Sequence, residues 1–130
     1  MTAASPSPLL RPVLIGFGLV FIFGIFILNR LWPSGWAWVP EQPAYLHMIL
    51  GIYATLGVFL LLAARNPTEH LSLIWFTVWS SIVHAVIMAV HSLTDPGQIG
   101  HLWGDVAALL LTAGVLAALT PRMGRSPQPR

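Results

Sequence analysis

The chain has 130 residues, of which 56% are hydrophobic and 8% are charged, and it contains no lysine and no cysteine. Soluble domains have about 25% charged residues, so this composition excludes a globule with a polar surface and makes the lipid bilayer its solvent. Without cysteine, a metal could bind only through histidine or carboxylate, and disulfides and thiol catalysis are excluded. The arginines lie at segment ends instead of forming a basic stripe, so the sequence does not support nucleic-acid binding.

Apolar segments follow one another along the chain at about residues 13–30, 44–65, 69–91 and 98–120. Each is long enough to cross a bilayer, which takes about 20 helical residues. Pro43 favours a helix start before the second segment, and Pro96 favours the start of a fourth helix that runs to Thr120. The sequence predicts one all-α domain, a four-helix transmembrane bundle with up-down-up-down topology and short loops. Residues 1–12 and 121–130 are expected to be cytoplasmic tails, the second of them basic.

Arginine placement predicts the orientation of this bundle. Arg30 falls on one side of the membrane, and the opposite side carries Arg11, Arg65, Arg122, Arg125 and Arg130. Since cytoplasmic loops are enriched in arginine and lysine, both termini are expected in the cytoplasm. The loop that contains Trp32, Trp36 and Trp38 then lies at the outer headgroup level, where indole rings are favoured.

Polar residues recur every seven positions along the third segment, and the series is His70, Thr77, His84 and His91. Seven residues advance a helix by about 700°, so each step drifts by only about 20° and these side chains share one face. Ser80 and Ser81 flank that face. The third helix is therefore expected to present a polar face to the bundle and large apolar residues to lipid.

Asp105 is the carboxylate that lies inside a predicted span. A charged aspartate at a helix centre costs about 2.5–3.5 kcal/mol on insertion scales, and histidines are its expected partners because no arginine lies inside a span. At about 1.5 Å per residue, His47 and His84 come out at the depth of Asp105. His91 and His101 lie nearer the outer surface. These residues predict a polar seam in the outer half, between the second, third and fourth helices.

Several uses of this seam are open. His47, His84, His101 and Asp105 could bind a divalent metal, and His47 with His84 could instead hold a b-type haem. The seam, with His91 and the hydroxyls of Ser80, Ser81 and Thr77, could carry protons or a small solute. The seam could also be structural, with interhelical hydrogen bonds that stabilise the bundle. The protein would then be an accessory subunit that binds another membrane protein or a second copy of itself. An enzyme with Asp105 and His84 as acid and base is a further alternative, but no catalytic motif supports it.

Over about residues 31–122 the chain resembles an uncharacterised family of small bacterial integral membrane proteins. The resemblance is carried by the segments LWPSGWAWVP, GIYATLGVFLLLAARNP, SLIWFTVWSSIVHAVIMAVH and GHLWGDVAALL. Its most characteristic positions are Trp79, Ser80, Ser81, His84, Gly100, His101, Gly104 and Asp105. The resemblance implies a four-helix bacterial membrane protein and draws attention to the same polar residues, and it implies no activity, substrate or cofactor.

Overall fold

The computed structural model describes residues 6–37 and 43–121, and all regular secondary-structure elements in these ranges are helices. Its helices that are long and apolar enough to cross a membrane are Leu10–Leu31, Pro43–Ala63, Pro67–Thr94 and Pro96–Leu119. We call them spans one to four. At about 1.5 Å per residue, even the span of 21 residues matches the roughly 30 Å hydrocarbon core of a bilayer. The predicted all-α fold with four membrane-spanning helices is confirmed.

The spans are not uniform α-helices. Span one consists of α1 (Leu10–Leu19), a π-helical turn (Val20–Gly24) and α2 (Ile25–Leu31), and the short helix α3 (Pro33–Trp36) follows it. Span two is α4 (Pro43–Ala63). Span three begins with a 3₁₀ turn (Pro67–His70) and continues as α5 (Leu71–Thr94). Span four consists of a 3₁₀ helix (Pro96–Leu102) and α6 (Asp105–Leu119).

The four spans pair into two antiparallel hairpins, each packed more closely within itself than against the other. In the first hairpin, spans one and two cross at Gly18 and Gly57. A Cβ atom on Gly57 would lie 2.6 Å from the carbonyl oxygen of Gly18, so the two backbones can meet only because both residues lack a side chain. In the second hairpin, α5 packs along both parts of span four.

An apolar core joins the hairpins near the ends of the chain. All four spans contribute buried side chains to it: Leu10, Leu14, Phe21, Leu60, Ala63, Ala64, Ile74, Val78, Ala113 and Leu116. We call this the termini end, and we call the opposite end, where α3 packs on the 3₁₀ helix of span four, the cap end. At the termini end, the indole N–H of Trp75 donates to the carbonyl oxygen of Pro121 at 3.1 Å. This bond ties the end of span four to span three.

Large apolar side chains cover the outside of the bundle. On span three, the apolar face was expected at Trp75, Trp79, Ile82, Val86 and Val90. Trp79, Val86 and Val90 are exposed, whereas Trp75 and Ile82 are partly buried against the apolar core. In water such a surface would cause aggregation, whereas lipid tails solvate it. The outside of the bundle is therefore suited to contact with the bilayer.

Span four differs from the continuous helix expected from Pro96 to Thr120. The side chain of Asp95 accepts a hydrogen bond from the backbone N–H of Gly97 at 2.9 Å and starts a 3₁₀ helix. Gly104 then leaves the helical region, with φ −91° and ψ −105°, and α6 begins at Asp105. Asp105 consequently lies in the first turn of an α-helix and not at a helix centre. The helix dipole stabilises a carboxylate at this position.

Candidate functional site

The buried polar side chains of the described ranges belong to the second hairpin. They are Thr77, Ser81, Ser92, His101, Asp105, Thr112 and Thr120. The first hairpin contributes partly buried Tyr53 from α4, which packs against the apolar cluster that Ala85, Val106 and Leu109 form in the second hairpin. The polar groups are therefore concentrated along one hairpin, with a single described aromatic hydroxyl reaching them from span two.

His101 and Asp105 form a buried pair at the start of α6. Nδ1 of His101 lies 2.9 Å from Oδ2 of Asp105, and the exposed fractions of the two residues are 1% and 9%. The residues are four positions apart across the break at Gly104, so both side chains point to the same side of span four. The ring N–H donates to the carboxylate, and a second proton on the ring would make the contact an ion pair.

Tyr53 and His84 form the second pair, which links the two hairpins. The phenol oxygen lies 2.5 Å from Nδ1 of His84. The phenol donates to this nitrogen when the ring carries its proton on Nε2. The ring of Phe21, in the π-helical turn of span one, packs edge-on against Tyr53 with 5.2 Å between centroids. Span one therefore helps to hold the phenol in place.

The two pairs belong to one electrostatic group. The carboxyl group of Asp105 lies close enough to interact electrostatically with both Tyr53 and His84. Apolar side chains surround the group, which lowers the local dielectric and strengthens interactions between charges and hydrogen-bonded dipoles. We call Tyr53, His84, His101 and Asp105 the polar cluster. Three of its members were predicted site residues, and Tyr53 was not. The signal that could have identified Tyr53 is its hydroxyl inside a span, which requires a partner.

Two predicted site histidines lie away from the polar cluster. His47 is exposed near the start of α4. It precedes Tyr53 by six residues, which is about 9 Å along the helix and about 120° around it, so His47 does not face His84. His91 shares the helix face of His84 but lies about two turns nearer the cap end, where it is exposed.

The hydroxyl groups predicted for the seam are used largely within α5. Thr77 donates to the carbonyl oxygen of Leu73 at 2.9 Å, and Ser80 donates to the carbonyl oxygen of Thr77 at 3.3 Å. Ser81 is buried one turn before His84. Such bonds satisfy a hydroxyl inside a membrane helix without a partner on another helix.

The described residues do not fit the predicted metal or haem site. In residues 6–37 and 43–121, no three histidine, aspartate or glutamate side chains form a group that could hold a metal ion. Protein zinc sites use three or four such ligands, whereas the contact between His101 and Asp105 supplies two. A haem held by two histidines needs them to face each other, and His47 points away from His84. Metal and haem binding therefore stay predictions that this donor geometry does not support.

Two glycines allow the short helix α3 to pack directly against span four, beside the His101–Asp105 pair. A Cβ atom on Gly100 would lie 2.5 Å from the carbonyl oxygen of Ser34, and one on Gly104 would overlap the carbonyl oxygen of Gly35. Gly100 and Gly104 thus face α3, while His101 and Asp105 face the inside of the bundle. The two glycines and the two ionisable residues therefore lie on different faces of span four.

Comparison with known proteins identifies the family of the chain. A family model described as a family of unknown function, DUF6632, matches residues 4–130. A search of curated proteins and a search of solved structures each found no match. The matched range includes all four spans, the polar cluster and α3. The chain therefore belongs to DUF6632, a family of unknown function.

Proposed function

We propose that this protein binds and releases protons at the polar cluster, as an integral protein of the bacterial inner membrane. The observation that carries the proposal is that two hydrogen-bonded pairs, Tyr53–His84 and His101–Asp105, lie within electrostatic reach of each other inside the bundle. Ionisable groups inside a membrane protein are costly and mark functional sites by default. A buried charge pair also adds little stability compared with apolar residues of similar size. Proton exchange therefore accounts for the cluster better than a purely structural role.

The chemistry needs one mobile proton. With Asp105 ionised and both rings neutral, the cluster is a net anion, and Nδ1 of His84 accepts the phenol hydrogen. A proton that binds at Nδ1 of His84, the nitrogen with the lone pair, gives an imidazolium near the carboxylate, and its Nδ1–H then donates to the phenol oxygen of Tyr53. The added proton makes the cluster neutral overall. His101 donates to Asp105 in both states and holds the carboxyl group in place. His84 is thus the proton acceptor and Asp105 supplies the counter-charge. Tyr53 and His101 position these two groups.

Proton exchange is proposed for the cap end, which we place on the outer side of the membrane. Arg11 and Arg65 lie at the termini end, and Arg30 lies at the cap end. The remaining arginines that support cytoplasmic termini lie outside the described residues, in the range 122–130. The positive-inside rule then directs the cap end outward.

The proposal is local proton binding and not a path across the bilayer. Toward the termini end, the buried hydroxyls of Thr77 and Thr112 donate to backbone carbonyl oxygens of their own helices, at 2.9 Å and 2.8 Å. A proton wire requires hydrogen bonds that pass from one side chain or water to the next. Among the described residues, such bonds occur within the polar cluster. On its termini-end side, Thr77 and Thr112 bond to their own backbone and do not continue the chain of hydrogen bonds.

The experiment is a titration of the histidine rings by NMR, with ¹⁵N-histidine protein in lipid nanodiscs. In the wild type, we expect the His84 signals to titrate, and we expect Asp105→Asn to move the pH at which they do so. His47→Gln is the matched control, since His47 is exposed and faces away from the cluster. It should leave the His84 titration unchanged. A His84 titration that is the same in wild type and Asp105→Asn would contradict the proposal.

An accessory subunit is the second candidate function. The supporting observation is that Gly16 on span one and Gly51 on span two have no heavy atom within 4 Å of an added Cβ position. Glycines with open space on a lipid-facing surface allow the close approach of an apolar transmembrane helix of another protein. Native mass spectrometry after gentle solubilisation tests this candidate. Retention of a partner that is lost in Gly51→Leu would support it, and a wild type that is strictly monomeric would contradict it.

A further inference from the structure

We infer that a second copy of this chain docks on the lipid face of span three and forms a parallel two-fold dimer. The lipid face consists of side chains that are each more than half exposed: Phe76, Trp79, Val83, Val86 and Val90. His84 is on a different face of the same helix, where it bonds to Tyr53 of span two. The inference therefore goes beyond the proton-binding function and does not rest on it.

Exposed indole and phenol groups on the other spans lie where a membrane favours them. Trp32 follows span one, Tyr45 lies in the first turn of span two, and Trp103 precedes the glycine of span four that contacts α3. All three are exposed near the cap end. At the headgroup level such a ring keeps its polar group in contact with water. These side chains therefore form an aromatic belt and need no protein partner.

Trp79 does not belong to this belt. Span three runs from Pro67 to Thr94, so Trp79 lies near its middle, and the side chain is 61% exposed. Within the described part of the chain, its ring N–H makes no hydrogen bond, whereas Trp75 on the same span bonds to Pro121. Lipid tails offer no acceptor, so this donor loses the hydrogen bonds that water would give it. An acceptor from another membrane-spanning helix would restore one.

Ser80 carries a matching acceptor at the same depth. Its hydroxyl donates to the carbonyl oxygen of Thr77 at 3.3 Å, and the lone pairs of the hydroxyl oxygen can still accept. Within one chain, Trp79 and Ser80 point about 100° apart around the helix and do not face each other. Each copy thus offers one donor and one acceptor. This self-complementary pattern suits a second copy, because a two-fold axis forms the same bond twice.

The spacing of the lipid face suits side-by-side packing of two such helices. Its residues are separated alternately by three and four positions, which is the heptad pattern of helices that pack at a shallow angle. Trp79 takes position d, and Ser80 takes position e, which borders the side chain at d of a parallel neighbour. Val83, Val86 and Val90 each have one strongly preferred rotamer in a helix, so they lose little freedom on packing. Copies inserted with the same topology are parallel and match at every level.

Cysteine cross-linking tests the location of the contact. The chain has no cysteine, so a single introduced thiol reports without background. In liposomes under mild oxidation, we expect Val83→Cys and Val86→Cys to give covalent dimers. Leu111→Cys is the matched control, since Leu111 is 63% exposed on span four and lies outside the lipid face of span three. It should give few dimers, and equal cross-linking at all three positions would overturn the inference.

Two further variants test the hydrogen bond between Trp79 and Ser80 of the partner subunit. Energy transfer between copies labelled at the N-terminus, measured in liposomes as lipid dilutes the protein, gives the dissociation constant of the dimer. Trp79→Phe and Ser80→Ala should each raise this constant by about fivefold to tenfold, because the dimer contains the bond twice. The double variant should show no larger change, since both substitutions remove the same bond. Trp103→Phe, which alters an exposed indole of the belt, should leave the constant unchanged.

Several outcomes would overturn the inference. One is a wild type that stays monomeric at every protein-to-lipid ratio, and another is a dissociation constant that neither Trp79→Phe nor Ser80→Ala changes. Strictly additive effects of the two substitutions would also overturn it, as would cross-links from Val83→Cys to a different protein instead of a second copy. None of these readouts depends on whether the His84 titration responds to Asp105.

Discussion

The phenol oxygen of Tyr53 lies 2.5 Å from Nδ1 of His84, and this hydrogen bond crosses the interface between the two helical hairpins. The hairpins otherwise meet mainly through apolar contacts near the termini end. Apolar contacts do not depend strongly on orientation, whereas a hydrogen bond does. The Tyr53–His84 bond, which lies nearer the cap end, therefore restricts how the two hairpins can be oriented. It fixes the rotation of span two relative to span three.

Tyr53→Phe should destabilise the protein by about 1–2 kcal/mol, because it removes this bond and leaves the ring nitrogen of His84 without the phenol. The measurement is unfolding in mixed micelles with increasing SDS, followed by circular dichroism. Tyr45→Phe is the control, since Tyr45 is 64% exposed. Equal stability of the two variants would show that the bond contributes nothing to the association of the hairpins.

His101 and Asp105 should show an energetic coupling of about 0.5–3 kcal/mol in a double-mutant cycle. The single variants His101→Leu and Asp105→Leu each break the 2.9 Å contact, whereas the double variant replaces both members by apolar side chains. We expect the double variant to be more stable than the sum of the single effects predicts. Additive changes in the free energy of unfolding would mean that the two side chains contribute to stability independently of each other. His47→Leu combined with Asp105→Leu serves as the uncoupled reference.

Gly57→Ala should lower the melting temperature, because its Cβ would lie 2.6 Å from the carbonyl oxygen of Gly18 and would force spans one and two apart. Gly51→Ala, on the same helix, has no neighbouring atom within 4 Å. The control should therefore be neutral or slightly stabilising, since alanine reduces the entropy of the unfolded chain. A Gly57→Ala protein as stable as the Gly51→Ala protein would contradict the crossing described above.

Trp75→Phe should loosen the end of span four, because the indole bond to the carbonyl oxygen of Pro121 is lost. Hydrogen exchange of the last turn of α6 is the direct measurement, and we expect faster exchange around Leu119 and Thr120 with little change around Asp105. Uniformly faster exchange along α6 would indicate general destabilisation instead. Trp79→Phe, which alters an exposed indole on the same span, is the control.

The sequence predicts the membrane-spanning architecture well, because span length and apolarity are local properties that the bilayer thickness constrains directly. It also predicts that His84, His101 and Asp105 require partners inside the bundle. The identity of those partners depends on how each helix is rotated. Tyr53 instead of His47 reaches His84 because the two residues lie about 120° apart on span two, and a single sequence does not reveal which face turns inward.

The break in span four could not be predicted for a different reason. A glycine in an apolar segment is compatible with a continuous helix, as Gly114 on α6 shows. At Gly104 the backbone of α3 approaches from residues that lie about 70 positions earlier in the chain. The break is a tertiary effect, and it decides that Asp105 lies at a helix start.

The confinement of the described buried polar groups to one hairpin has a consequence for membrane insertion. Span four, inserted alone, would present His101 and Asp105 to lipid, whereas insertion together with span three covers them with a neighbouring helix. Spans three and four should therefore leave the translocon as a pair. Spans one and two carry largely apolar faces and can insert independently of that pair. A chain divided between Ala63 and Pro67 would thus yield two fragments that each insert and then reassemble in the bilayer.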